Sequence, residues 1–361
     1  MAALLLALVV TTPAAAAKRP RSYVVTLLAS SNGDVFAPAV QGNPINAAGL
    51  VAGSTRGETP HAAVYDTRRN TVRELDGLPP DCWSHAVDVN ALGHVAGYSY
   101  CTPRFVRRGF LWTAPGVPVT WFSDREDLTL EPVAMNDHDV VTGTYYDHAD
   151  ESSDAFVWHP QPAALERIGT LGGNYNYPSD INNGGYITGM SETKERQYRP
   201  YLWLPRTKVL SRIGTPTNWN YGRGTSINDR GYVVGDYALN ASPGISSPFV
   251  WSPLTHHLET LPNAGDNTHP TAISSRGVVV GYRGYFDTKA LVWDTCGGAP
   301  KELPPVAGAP WTAPIAVNAT GRIVASVVYG DPFTHPLDRR GVRFDRHRRH
   351  HRPPAALPCR S

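Results

Sequence analysis

Long apolar runs are missing from this 361-residue sequence after its first 17 positions, so no segment of the body reads as a transmembrane helix. An excess of one charge is missing too. The 33 Lys and Arg nearly balance the 31 Asp and Glu, for a net charge of +2, which argues against a nucleic-acid footprint, since that needs basic residues concentrated on one face. Cysteine is scarce, four residues with no C-x-x-C pair, so there is no motif for dithiol redox chemistry. G-x-S-x-G, H-E-x-x-H and the P-loop are absent as well, which removes the local signatures of an elbow hydrolase, a zinc protease and a nucleotide enzyme.

What is present is apolar material cut by turns. Hydrophobic residues make up 41% of the chain, with 33 Gly and 32 Pro, a balance that favours an all-β protein with a sizeable core. Residues 1–17 hold an apolar run, Leu4 to Val10, and end in Ala15-Ala16-Ala17; this fits the apolar region and cleavage site of a secretory signal, although no Lys or Arg precedes it. The expected protein is therefore secreted, with Lys18 opening the mature chain. Cysteines in an exported chain invite pairing. Cys82 and Cys101 are equidistant from the turn Asn90-Ala91-Leu92-Gly93, so a regular hairpin sets them opposite each other. Cys296 and Cys359 would form the remaining pair, with free buried thiols as the alternative.

The segment from Ser179 to Gly189 recurs from Thr225 to Gly235, and the same frame appears at Asn46, Asn90, Asn136, Ser274 and Asn318. Successive positions, with Asn182 and Asn228 included, are separated by 44, 46, 46, 46, 46 and 44 residues. Each copy places an apolar residue before the Asn (Ile45, Val89, Met135, Ile181, Ile227, Ile273, Val317) and an aromatic anchor further on (Tyr65, Trp112, Trp158, Trp203, Trp251, Trp293, Phe344). By period and breakers, one repeat holds four short strands, the blade of a β-propeller. The predicted fold is an all-β, seven-bladed β-propeller with four antiparallel strands per blade. Residues 18–344 form it and a basic His/Arg/Pro-rich tail, 345–361, follows. Repeat seven lacks an apolar fourth strand, so Tyr23 to Leu28 is expected to supply it and to seal the ring. In each Asn-x-x-Gly turn the Asn side chain bonds the backbone two residues on, while Gly takes the left-handed conformation; Asp139 stands in for that Gly in repeat three. The aromatic anchors are read as inter-blade core.

These units resemble the secreted HAF-repeat proteins, whose pattern is similar to A-x-x-I-N-x-x-G-x-V-V-G followed by His-Ala-Phe-x-Trp and Leu-x-x-Leu-Gly. The copies that carry the resemblance are Ile181 to Gly189, Asp154 to Trp158 with Leu165 to Gly169, and His61 to Tyr65. Most copies lack the His, and the seventh unit is degenerate. The resemblance covers nearly the whole mature chain and implies an exported repeat protein with a propeller-like fold; it brings no catalytic or ligand-binding residues with it.

Function is sought where loops vary on a fixed scaffold. Five residues before each Asn, at the mouth of the innermost strand, stand Gln41, His85, Glu131, Tyr177, Arg223, His269 and Ala313, flanked by Trp83, Tyr175, Trp219, Asp266 and Trp311. Aromatics interleaved with amides, acids and His suit a glycan or a peptide, the rings stacking and the polar groups taking hydroxyls or backbone. The bland alternative is that they cap turns and strand ends. Binding or scaffolding is the preferred reading, for a monomer with a polysaccharide or protein ligand. An extracellular lyase or glycoside hydrolase using Glu131 with His85 or His269 is the alternative, and a purely structural envelope protein is a third. No cofactor is expected: Asp147, Asp150, Glu151 and Asp154 offer oxygen ligands for Ca2+, but their spacing matches no EF-hand and reads as a solvated acidic loop. The run Arg346 to Arg352 reads as a solubilising end.

Overall fold

The computed structural model describes residues 23–28, 36–101, 106–125, 127–147, 153–214, 219–239, 245–261, 265, 267–284, 288–293, 298–329 and 338–346. Cys296, Cys359, Asp266, Asp150 and Glu151 lie outside them, and with them the second expected disulfide. Among the described residues all regular structure is β, and no helix is long and apolar enough to cross a membrane.

Each repeat is a four-strand antiparallel meander. In the fifth the strands are Trp219–Ile227, Val233–Leu239, Ser246–Trp251 and Leu258–Thr260, hydrogen-bonded in that order. Five sheets have four strands, and a sixth has eight because the third and fourth repeats touch through one parallel pair, Ser153 with Tyr175. In the seventh repeat the fourth strand is Tyr23–Leu27, which runs antiparallel to Asp338–Arg346 from Tyr23 opposite Arg346 to Leu27 opposite Val342. That last strand continues two residues past the expected boundary at 344, since Asp345 accepts from Arg322 and Arg343 and Arg346 pairs with Tyr23.

Core clusters sit between successive sheets rather than inside any one of them. Phe110 and Trp112 pack with Ala52 and Val64 of the first repeat; Trp293 packs with Val234 and Val250 of the fifth. Leu28, Phe36, Ile45 and Tyr65 share one cluster with Ile315, Ala316 and Val324, so the first and last repeats are packed together. All seven aromatic anchors are buried, from Tyr65, Trp293 and Phe344 at 0% exposure to Trp251 at 5%. Cys82 and Cys101 form a disulfide, with Cα atoms 4.6 Å apart.

The recurring Asn does more than close its turn. Asn182 Oδ1 accepts from the backbone N of Gly184 and Tyr186, both at 3.0 Å, while Gly185 sits at φ 78° and Asp139, in the equivalent place, at φ 60°. Its Nδ2 then donates to the carbonyl of Asn228 in the next repeat at 3.0 Å. The same bond runs from Asn46 to Asn90, Asn90 to Asn136, Asn136 to Asn182, Asn228 to Ser274 and Asn318 to Asn46, at 2.9 to 3.3 Å. Ser274 has no amide to donate onward.

Candidate ligand-binding site at the strand mouths

Each inner strand runs toward its Asn, so the residue five positions earlier stands near the other end. Cross-strand register pairs His85 with Tyr98, Glu131 with Thr144, Tyr177 with Met190, Arg223 with Asp236, His269 with Tyr282 and Ala313 with Ser326. Just beyond each of these positions the register shifts by one residue, a bulge. The bulge brings the mouth carbonyl over the second strand, and an added Cβ at Gly235 would strike the carbonyl oxygen of Arg223. Glycine is needed there because two backbones meet, so the mouth is held by main chain and leaves its side chain free to differ. The first repeat departs from the expected frame: the carbonyl over Gly53 belongs to Ala37, and Gln41 lies past the strand Phe36–Pro38 in an exposed bend.

A cavity of 420 Å³ opens among these strands, and Gln41, Arg223, Thr225, Thr271, Trp311 and Ala313 line it. Arg223 is the charged member. Its Nε donates to Asp236 Oδ1 at 2.8 Å and one Nη to Oδ2 at 3.4 Å. His269 Nδ1 lies 2.5 Å from the same Oδ2, and its ring is 5.1 Å from that of Tyr282. The carboxylate is 2% exposed, the imidazole 11% and the guanidinium side chain 37%. Burial pushes the Asp236 carboxyl up, yet the hydrogen bond from His269 and the Arg223 charge outweigh it and hold the group below the usual carboxylate range. Burial likewise opposes the Arg223 charge, and Asp236 outweighs it, so the guanidinium titrates above its ordinary value.

His85 and Glu131 stand apart from this cluster. His85 lines a smaller cavity of 150 Å³ with Gln41, Ser54 and Tyr98, and its Nδ1 is 3.3 Å from Ser54 Oγ. Burial, then the nearby Arg107 charge, holds its imidazole below the ordinary value. Glu131 Oε2 accepts from Arg107 at 2.6 Å. Arg107 in turn covers the Tyr98 ring at 5.6 Å, and burial with the Glu131 charge pushes the Tyr98 phenol up to about 12. Trp83, 41% exposed, lies 5.6 Å from Tyr100 at the rim. Glu131 and His269 are thus bound to separate partners, Arg107 and Asp236.

Tyr177 and Tyr175 belong to a second aromatic row. Successive ring centres run Tyr175, Tyr177, Tyr198 and Tyr221 at 6.2, 6.3 and 6.4 Å, and all four side chains are half-buried. Trp219 does not join it. A register shift between Trp219 and Tyr221 turns the indole inward, where it is fully buried and stacks on Tyr237 at 3.7 Å; the ligand contact expected of it is replaced by a core contact. Of the acidic loop, Asp154 is buried and takes Arg167 at 3.1 Å, and Asp147 accepts from Tyr145 and Arg125. Among the described residues no group of three His, Cys, Asp or Glu side chains could hold a metal ion.

Sequence reasoning passed over Asp236 and Tyr198. In repeats two to six the residue after the second-strand Gly is the cross-strand partner of the mouth residue, and Asp follows Gly235. At the Asn end a second cavity, 180 Å³, is lined by the Asn side chains with Asp88, Asp137, Asp180 and Asp229.

No protein-family profile matches the chain, and no curated protein does. Solved structures do match. An oligogalacturonate lyase from Vibrio parahaemolyticus aligns at TM-score 0.60 and 9% identity, over 90% of this chain and 97% of that one. The β-propeller domain of the Trilobed protease from Pyrococcus furiosus, which has an open velcro topology, aligns at TM-score 0.57 and 9% identity, over 86% of this chain and 93% of the other. An acylaminoacyl peptidase from Pyrococcus horikoshii aligns at TM-score 0.56 and 8% identity over 84% of this chain, which spans only 51% of that enzyme. Identities this low speak for architecture alone: the chain has a β-propeller fold.

Proposed function

We propose that this chain is an exported, HAF-repeat binding module: its seven repeats close into a seven-bladed ring behind a signal segment at 1–17, and a glycan or peptide is held at the strand mouths. The closing bond from Asn318 to Asn46, the core shared by the first and last repeats, and the pairing of Tyr23–Leu27 with the last strand support closure. The Cys82–Cys101 disulfide supports an oxidising compartment. The observation that carries the binding reading is the 420 Å³ cavity in which Arg223, Gln41 and Trp311, from three different repeats, come together.

The test is a glycan and peptide array probed with the full chain, oligogalacturonates included, beside Arg223→Gln and Trp311→Ala. Retained ligand lost in both variants is the expected result. Undiminished binding by both would move the site elsewhere, and silence across the array would favour a purely structural envelope role. A catalytic reading is favoured by one observation, the 2.5 Å contact that fixes His269 against a buried carboxylate, an arrangement able to orient a general base. Polysaccharide turnover by the wild type that His269→Gln or Glu131→Gln abolishes would replace the binding reading with it.

A further inference from the structure

The tyrosine row and the arginine beside it say more about the ligand. Tyr221 and Arg223 alternate on the strand Trp219–Ile227, two positions apart and regular in register, so they share a face of the sheet. The row Tyr175, Tyr177, Tyr198, Tyr221 therefore ends beside the Arg223 guanidinium and the 420 Å³ cavity that it lines. Asp236 grips Arg223 through Nε and one Nη, leaving the other Nη outside that pair. A guanidinium fixed in this way is preorganised for a planar anion, and a carboxylate is the anion whose geometry matches it. Thr225 and Thr271 spend their hydroxyl hydrogens on the carbonyls of Pro270 and Val280, at 2.8 and 3.3 Å. What they offer a ligand is lone pairs, which accept from sugar hydroxyls.

The ring centres keep a near-constant spacing while their planes turn, with interplanar angles of 9°, 38° and 56° along the row, as suits a twisting chain of like rings that present apolar C–H faces. Pro-rich peptides also dock in aromatic-lined grooves, but their repeating rings bring no side-chain carboxylate to Arg223. Charge decides how acidic the ligand is. Glu192 stands directly opposite Tyr198 across the sheet, so a ligand with an acid on every ring would bring like charges together along the row. We infer that the mouth takes an oligosaccharide carrying a single uronate, its carboxylate on Arg223 and its neutral sugars along Tyr221, Tyr198, Tyr177 and Tyr175. This rests on the binding reading above and names its ligand class.

Titration calorimetry on the full chain tests it, with a xylo-oligosaccharide bearing one glucuronate, its carboxyl-reduced form, the unsubstituted xylo-oligosaccharide and an acidic peptide. The uronate form is expected to bind at least tenfold more tightly than the reduced form. Arg223→Gln should bring the uronate form down to the affinity of the reduced form, and Tyr198→Ala should weaken both forms by a similar factor. Should Arg223→Gln fail to fold, the comparison of uronate with reduced sugar on the wild type, together with Arg223→Lys and Tyr198→Ala, still decides. Equal affinity for the two sugars overturns the carboxylate assignment and leaves a glycan-binding module standing. Binding of the peptide alone, or of no probe, overturns the sugar class as well.

Discussion

Asn182 shows how one side chain can serve two levels of structure. Its oxygen holds the turn that follows, and its amide crosses to the next repeat. Replacing it with Ala strands two turn N–H groups and one buried carbonyl, so Asn182→Ala is expected to cost about 1–3 kcal/mol. The converse change lies at Ser274, where a donor is missing; Ser274→Asn should supply a bond to Asn318 and raise stability by roughly 0.5–1.5 kcal/mol. Denaturant unfolding of both variants checks this, and an unstabilised Ser274→Asn would show that the gap there is filled by other means. The turn half of the role was legible in the sequence, because its partners lie within four residues. The amide's target, 46 residues on, was hidden: spacing marks the repeat but not which carbonyl approaches which nitrogen. Trp219 was misjudged for a related reason, since a bulge two residues before Tyr221 reverses the facing of a strand that otherwise alternates.

Inner strands also bury charge. Asp180 accepts from Ser226 Oγ at 2.7 Å and Ile227 N at 2.9 Å across to the next repeat, and burial pushes its carboxyl up to about 6 despite those bonds. Because the folded chain then holds the proton more tightly than the unfolded chain does, Asp180 stabilises fully below about pH 4, and its contribution is lost as pH rises to about 6. Two pK units correspond to a loss on the order of 3 kcal/mol. Asp180→Asn should flatten this fall in unfolding midpoint between pH 4 and 6; an unchanged slope would assign the proton to another group. Asp236 works in the opposite sense, lending stability at neutral pH that acid removes. Neither charge was singled out from the sequence: counting out from the turn sets Arg223 opposite Tyr237, and only the bulge between Gly224 and Ser226 moves the pairing to Asp236.

At the scale of the whole molecule, the first described strand pairs with the last. Tyr23–Leu27 completes a sheet whose other strands lie some three hundred residues away, between Trp311 and Arg346, and Val25 stands opposite Phe344. Leu28 N donates to the carbonyl of Gly341, so two residues back the N–H of Thr26 faces Arg343 in the same ladder, and Thr26→Pro, which removes that donor, is expected to cost about 1–3 kcal/mol. In a closed ring this loss lowers one cooperative transition; early melting of the seventh sheet alone, with the rest intact, would mean an open arc. Repeat length, strand count and the borrowed strand were all legible, because hydrophobic period and breakers recur with every copy. The mouth was legible in part: Arg223 and Trp311 meet at the cavity, whereas His85 and Glu131 answer to neighbours that only tertiary packing supplies.

The glycine beneath the mouth carbonyl of repeats two to six has a bearing on how such a protein changes over time. Since main chain holds the backbone of residues such as Arg223 and Glu131 in place, each of these mouths behaves like a socket that accepts interchangeable bits. Swapping the bit alters what is gripped without loosening the handle, so new tastes for ligands can be acquired one substitution at a time.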